Sequence, residues 1–77
     1  MAVVFLFDAE VMLTVNAEQP EPFTWLVIDP LGNVQNSGHV ESDQKIMVIP
    51  IDVSHLPAGL YTVVTDRYGN VGRVMKM

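Results

Sequence analysis

The sequence has no cysteine, and it has only four basic residues against nine acidic ones, which gives a formal net charge of −5. Without cysteine the chain can form neither a disulfide nor a thiolate metal site. Nucleic acids and anionic membrane surfaces are bound through clusters of Lys and Arg. The four basic residues form no such cluster, so we expect no nucleic-acid partner and no attraction to an anionic membrane.

Long apolar runs are also missing. The opening stretch, Met1–Phe7, is apolar but short, it has no basic flank, and Asp8 and Glu10 follow it closely. A membrane-spanning helix needs about 20 apolar residues, and a signal peptide needs a basic start, a longer apolar stretch and a small-residue cleavage site. We therefore expect no membrane insertion and no signal peptide in this chain. The opening is more typical of a buried β-strand.

The apolar residues that are present alternate with polar or smaller ones at a period of two, as Val11, Leu13 and Val15 do. This alternation is typical of β-strands, because successive side chains leave opposite faces of the strand. We predict essentially no helix and seven strands: Val3–Phe7, Val11–Asn16, Phe23–Asp29, Val34–Val40, Lys45–Ile51, Leu60–Thr65 and Val71–Met75. Seven short, closely spaced strands in 77 residues predict one all-β domain over residues 1–77, either a two-sheet sandwich or a small barrel.

The core is predicted to form around Trp25, the only tryptophan, at the place where the two sheets meet. The alternation assigns five further side chains to this core: Leu13, Val27, Val48, Tyr61 and Val63. Truncating a buried aromatic side chain costs about 3–5 kcal/mol, which is a large part of the stability of a small domain.

Proline and glycine mark the turns between the strands. Asp29–Asn33 predicts a β-turn with Pro at its second position and Gly32 supplying an unusual φ, and Asp66–Asn70 predicts a hairpin connection in which Gly69 is left-handed. In the loop before the sixth strand, Pro57 presets φ and Gly59 is predicted to take a positive φ. Glu41–Gln44 is predicted to be a loop.

The stretch from Asp52 onward resembles the C-terminal sorting domain of proteins exported by the type IX secretion system. That family has a D-hydrophobic-S-x-L-P-x-G-x-Y signature, a D-x-x-G turn and a final strand with a Lys-containing tail. The matching residues are Asp52, Val53, Ser54, Leu56, Pro57, Gly59, Tyr61, Val63, Asp66, Gly69 and Lys76. Upstream, Val27–Val34 is similar to the strand-D-x-x-G-x-V turn of the family, and the similarity covers about residues 10–77. The chain has Phe7-Asp8-Ala9 where the family has a P-N-P-like segment.

The resemblance implies an immunoglobulin-like β-sandwich that acts as a sorting signal and has no enzyme activity. It implies attachment behind a cargo protein, recognition by an outer-membrane export machine after passage through the periplasm, and a secreted or cell-surface location. The recognition positions that carry over are Asp29, Gly32, Pro57, Gly59, Tyr61, Gly69 and Lys76. The last strand, Val71–Met77, and the hairpin before it are the implied partner surface, with Tyr68, Val74, Met75 and Met77 as its candidate contacts. Small immunoglobulin-like domains of other secreted bacterial proteins are an equally similar group.

No residue pattern predicts a catalytic, cofactor or metal site. His39 and His55 have no second ligand at a suitable spacing, and Ser54 lies next to His55 in an extended segment where adjacent side chains diverge. We therefore expect no enzyme activity and no cofactor.

Three aspartates, Asp29, Asp52 and Asp66, each stand at the start of a turn. Their carboxylates are predicted to accept hydrogen bonds from backbone N–H groups two residues further on, which is a structural role rather than an acid/base or calcium-binding one.

The apolar residues outnumber what one small core can bury. The surplus is Phe5, Phe7, Met12, Leu26, Ile28, Met47, Ile49, Val64, Met75 and Met77. Exposed apolar patches mark partner contacts, and methionines suit adaptable surfaces. We expect a neighbouring domain, an export receptor or a second copy as the partner. The alternative function is a structural or adhesive immunoglobulin-like module, for which Tyr68, Phe23 and Phe5 are candidate glycan-binding aromatics.

Overall fold

Seven strands form the fold of the computed structural model, which describes residues 1–41 and 44–77. The strands are β1 (Ala2–Phe7), β2 (Glu10–Asn16), β3 (Phe23–Ile28), β4 (Val34–Val40), β5 (Ile46–Asp52), β6 (Gly59–Thr65) and β7 (Gly69–Lys76). All seven predicted strands are confirmed with shifts of only one or two residues at their ends, and the described residues contain no helix. The predicted loop Glu41–Gln44 includes positions 42 and 43, which lie outside the described residues.

The strands pair into two antiparallel sheets, a three-stranded sheet in the order β1-β2-β5 and a four-stranded sheet in the order β4-β3-β6-β7. Hairpins join β1 to β2, β3 to β4 and β6 to β7, and the other three connections cross between the sheets. In a constant-type immunoglobulin domain the fourth strand belongs to the sheet of the first, second and fifth strands. Here β4 pairs with β3 instead, and the chain is an immunoglobulin-like β-sandwich with a relocated fourth strand.

The core lies between the sheets and is built from inward-pointing residues of β2, β3, β5, β6 and β7, together with two residues of the loop between β5 and β6. Its buried apolar members are Val11, Leu13, Val15, Phe23, Trp25, Val27, Met47, Ile51, Val53, Leu56, Tyr61, Val63 and Val74. Residues of β1 on the inner side pack against this cluster without being fully buried. The prediction that Trp25 lies in the core is confirmed.

Val48, predicted to be a core residue, is 56% exposed, whereas Met47, predicted to be surplus, is buried. The run from Ile46 to Ile49 is apolar on both faces, so its own pattern does not select the inward side. The pairing register with β2 selects the inward side: Val15 is opposite Met47 and Val11 is opposite Ile51. Because these β2 residues point inward, their partners on β5 do so too.

Two of the three glycine predictions are confirmed. Gly32 has φ +90° and Gly69 has φ +70°, and the Gly32 N–H donates to the Asp29 carbonyl at 3.0 Å as a β-turn requires. The prediction for Gly59 is wrong, because this residue has no positive φ and lies in β6 opposite Lys76. A positive φ of 56° occurs instead at Asp8, in the two-residue turn between β1 and β2, where the sequence contains no glycine to signal it.

Candidate functional site

Two connections meet at one end of the sandwich and form the candidate site: the turn between β3 and β4 and the loop between β5 and β6. The first of them is the turn between β3 and β4. The Asp29 carboxylate accepts hydrogen bonds from the N–H groups of Leu31 and Asn33, both at 2.9 Å. Its second oxygen accepts a bond from the Gln35 side-chain amide at 2.7 Å. These bonds, led by the one from the Asn33 backbone, hold the pKa of Asp29 below its ordinary value. The predicted turn-capping role of Asp29 is confirmed, and the turn presents Leu31, 87% exposed, to the surface.

The second part is the loop between β5 and β6. The Asp52 carboxylate accepts the Ser54 N–H at 2.9 Å, and hydrogen bonds from Ser54, led by its hydroxyl, lower the pKa of Asp52. The Leu56 N–H donates to the Val53 carbonyl at 3.0 Å, and the side chains of Val53 and Leu56 are buried. The loop is therefore anchored by two apolar side chains and a capping carboxylate, as predicted for Asp52.

Lys76, near the end of β7, closes this loop from the other side. Its ammonium group donates to the carbonyl of Ser54 at 3.2 Å and to the carbonyl of Leu56. The ammonium group of Lys76, which was predicted as a recognition residue, is thus hydrogen-bonded within the molecule, where it stabilises the loop conformation.

Tyr61 links the loop to β6. Its hydroxyl donates to the Pro57 carbonyl, four residues upstream, at 2.5 Å, and its ring is buried in the core. This arrangement is the tyrosine corner of immunoglobulin-like sandwiches, in which a tyrosine near the start of the sixth strand bonds back to the preceding backbone. The Tyr61 and Pro57 positions of the sequence signature therefore have a direct structural function.

The turn and the loop together form a groove of about 280 Å³. The residues that line it are Asp29, Pro30, Leu31, Gln35, Pro57, Ala58 and Tyr61. The polar groups in it are occupied: the Asp29 carboxylate binds its own turn and the Tyr61 hydroxyl binds Pro57. What the groove offers to a ligand is an apolar wall of prolines, Leu31 and Ala58, which suits an apolar side chain.

Six of the seven predicted recognition positions lie at this end of the sandwich. Asp29, Pro57 and Tyr61 line the groove, Gly32 lies in the Asp29 turn, and Gly59 lies opposite Lys76. Gly69 lies elsewhere: it pairs with Thr65, six residues along β6 from Gly59 and hence about 20 Å away. Pro30, Leu31 and Gln35 were not predicted as site residues; the position of Pro30 and Leu31 within a predicted turn was a sequence signal for those two, and Gln35 had none.

The predicted partner surface is present in part. Met75 and Met77 are exposed, at 53% and 97%, but Val74 is 6% exposed and belongs to the core. Val74 is opposite Tyr61, which points inward, so the prediction of Val74 as a contact is wrong.

The three aromatic residues proposed for glycan binding differ in their exposure to solvent. Phe23 is fully buried, contrary to its proposed role, and Tyr68 is only partly exposed, with its ring edge-on to Phe23 at 5.4 Å between centroids. The Tyr68 hydroxyl is buried and has no hydrogen-bond partner among the described residues. Phe5 is 52% exposed on the outer face of the three-stranded sheet.

His39 and Asp66 both form polar contacts with Thr24 on β3. His39 shares a hydrogen bond with the Thr24 hydroxyl at 3.0 Å and lies 3.4 Å from the Glu41 carboxylate. The Asp66 carboxylate accepts the N–H of Thr24 at 2.9 Å and so joins β3 to the end of β6. The prediction that Asp66 caps its own turn is therefore wrong. Across residues 1–41 and 44–77, no three His, Cys, Asp or Glu side chains lie close enough to hold a metal ion.

The fold and the site define a small immunoglobulin-like β-sandwich with a tyrosine corner and an apolar groove at one end. Comparison with protein-family models, curated proteins and solved structures finds no significant match. Within the described residues no helix has the length and apolar character needed to cross a bilayer.

Proposed function

We propose that this chain is a non-catalytic sorting and docking module, which directs an attached cargo protein to outer-membrane export and to the cell surface. This is the role implied by its resemblance to type IX sorting domains. In this proposal the export machinery binds the groove end of the sandwich together with the last strand, and the cargo precedes the domain in the chain.

The observation that supports the proposal is the grouping of the recognition positions. Asp29 is far from Pro57 and Tyr61 in the sequence, yet all three line one groove. The turn also exposes the apolar side chain of Leu31, and β7 exposes that of Met75. In this proposal the protein partner contacts the turn, the loop and the last strand.

Fusion of the domain behind a periplasmic reporter, in a host with this export system, tests the proposal. We expect surface display of the reporter, and we expect Leu31→Ser and Met75→Ser to reduce it several-fold, because both remove exposed apolar contacts without touching the core. These substitutions test the exposed surface more specifically than a deletion of residues 74–77, since that deletion also removes the buried Val74 side chain and the hydrogen bonds of Lys76.

Val48→Thr is the matched control, because Val48 is a comparably exposed apolar residue on the other sheet. It is expected to leave export unchanged. Export that proceeds equally well with Leu31→Ser, Met75→Ser and the unmodified domain contradicts the sorting function.

A second candidate function is a structural or adhesive module with a glycan-binding face. The observation that favours it is the exposure of Phe5 and Phe7 on the same face of the three-stranded sheet, since aromatic rings present apolar surfaces to ligands. A glycan array decides between the two: binding that Phe5→Ala and Phe7→Ala abolish supports the adhesive function. Absence of binding to every glycan on the array counts against it.

A further inference from the structure

The outer face of the three-stranded sheet is exposed and mostly apolar. The pairing register places its side chains in four rows across β1, β2 and β5. From one end to the other these rows are Met1, Asn16 and Ile46; Val3, Thr14 and Val48; Phe5, Met12 and Pro50; and Phe7, Glu10 and Asp52. The first three rows contain no charged side chain, although an outer sheet face of an antiparallel sandwich is normally polar.

We propose that this face binds the same face of a second copy of the chain, forming a two-fold symmetric dimer. The proposal does not depend on the sorting function, because the face lies on the sheet opposite to the one that carries Met75 and Tyr61.

The size of the face fits a dimer interface. Its large apolar side chains, Met1, Val3, Phe5, Phe7, Ile46 and Val48, are each between 44% and 78% exposed. Together they expose on the order of 600 Å², which is the upper end for the largest patch on a typical monomer and reaches, for two copies, the roughly 1,000 Å² that a specific interface buries. A second copy supplies an equal and chemically identical apolar face.

The charges at the two ends select the orientation of the copies. Glu10 and Asp52 lie in the last row, whereas Lys45 lies at the opposite end, just before Ile46. A two-fold axis parallel to the strands would place the carboxylates of both copies together, which is unfavourable. A two-fold axis perpendicular to the strands places the acidic end of one copy over the Lys45 end of the other, and we assign this arrangement.

Packing through the sheet face is favoured over pairing through the sheet edges. Pro50 lies in the middle of β5, the edge strand of this sheet, and a proline there removes a ladder donor and blocks addition of a further strand. At the other edge, the side chain of Val4 on β1 lies close to β7: a Cβ added at Gly72 would be 3.0 Å from it. The proline edge is therefore closed to strand addition, β7 lies beside the other edge, and the outer face remains open.

Sedimentation velocity of the wild-type chain from about 1 µM to about 1 mM tests the dimer. We expect the mass to rise from 8.5 kDa towards twice that value. Phe5→Thr combined with Val48→Thr is expected to weaken dimerisation at least tenfold, since both residues are exposed and their loss leaves the core intact. Met75→Thr is the matched control, because Met75 is 53% exposed and Phe5 is 52% exposed; it is expected to leave dimerisation unchanged.

Fluorescence of the buried Trp25 verifies that each variant is folded. A wild-type chain that stays monomeric over the whole range overturns the proposal, and so does a Met75→Thr variant that is weakened as much as the double variant. Glu10→Gln tests the orientation. In the assigned arrangement it removes an attraction and weakens the dimer, whereas a stronger dimer overturns the assignment.

Discussion

At the scale of single residues, the two tyrosines illustrate how the same side chain acquires different roles from its surroundings. The Tyr61 hydroxyl donates to the Pro57 carbonyl and ties the loop before β6 to the core. The Tyr68 hydroxyl is buried beside Phe23 without a hydrogen-bond partner among the described residues. A hydrogen bond made on folding contributes modestly to stability, but a buried polar group left without one is unfavourable. The two hydroxyl groups therefore have opposite effects on the free energy of unfolding.

Tyr61→Phe is expected to lower the free energy of unfolding by about 1 kcal/mol, because it removes the bond to Pro57 and keeps the buried ring. Tyr68→Phe is its control and is expected to leave stability unchanged or to raise it. Urea denaturation followed by Trp25 fluorescence measures both. A larger loss for Tyr68→Phe than for Tyr61→Phe contradicts this interpretation of the two hydroxyl groups.

At the scale of elements, the pairing of β3 with β4 depends on one glycine. Trp25 lies opposite Gly38, and three atoms of its indole would be under 3.0 Å from a Cβ at that position. The indole therefore lies on the β4 backbone, where any other residue would displace it. Gly59 differs: a Cβ there would make an ordinary contact with Pro30 at 3.5 Å, and its φ is not positive.

Gly38→Ala is expected to destabilise the domain by about 1–3 kcal/mol, since the added methyl group forces the indole or the strand to move. Gly59→Ala, the control, is expected to change stability by less than about 0.5 kcal/mol. Thermal unfolding compares the two, and the near-ultraviolet circular dichroism of Trp25 should change only for Gly38→Ala. Equal effects of both substitutions would mean that the indole does not lie on Gly38.

At the scale of the whole molecule, the response to acid is governed by carboxylates that cap turns. Bonds from Asn33, Gln35 and Leu31 lower the pKa of Asp29, and bonds from Ser54 lower the pKa of Asp52. The unfolded chain therefore binds protons at a higher pH than the folded one at both sites. Their contribution to stability is present above the ordinary aspartate pKa of about 3.9 and is lost as the pH falls through the lowered folded values.

We expect the urea midpoint to stay level from about pH 7 to pH 5 and to fall below about pH 4. The double variant Asp29→Asn, Asp52→Asn is expected to be less stable at neutral pH and to lose less on acidification, because the amides keep an acceptor oxygen and carry no charge. Midpoints measured at several pH values for both proteins provide the comparison. A fall of the same size over the same pH range in the double variant would contradict the assignment of the acid response to Asp29 and Asp52.

The candidate site was predictable in its parts but not in its assembly. The roles of Asp29, Asp52 and Gly32 follow from local turn chemistry, because the bonds they make join residues within six positions of each other. The burial of Phe23 follows from the alternation that it shares with Trp25 and Val27, whereas the burial of Val74 and the contact of Asp66 with Thr24 depend on which strands pair. Local patterns carry no information about such pairing, and for this reason the predictions for Val74 and Asp66 failed.

The sequence alone determined the strands and most of the turns of this protein, since alternation, proline and glycine act on the chain within a few residues. Only the tertiary structure decided which face of β5 points inward, which sheet received β4, and that the turn at Asp29 meets the loop at Pro57. The physical reason is that β5 is apolar on both faces, so its orientation is settled by packing against β2. The groove, likewise, exists only where two distant connections are brought together by the sheets.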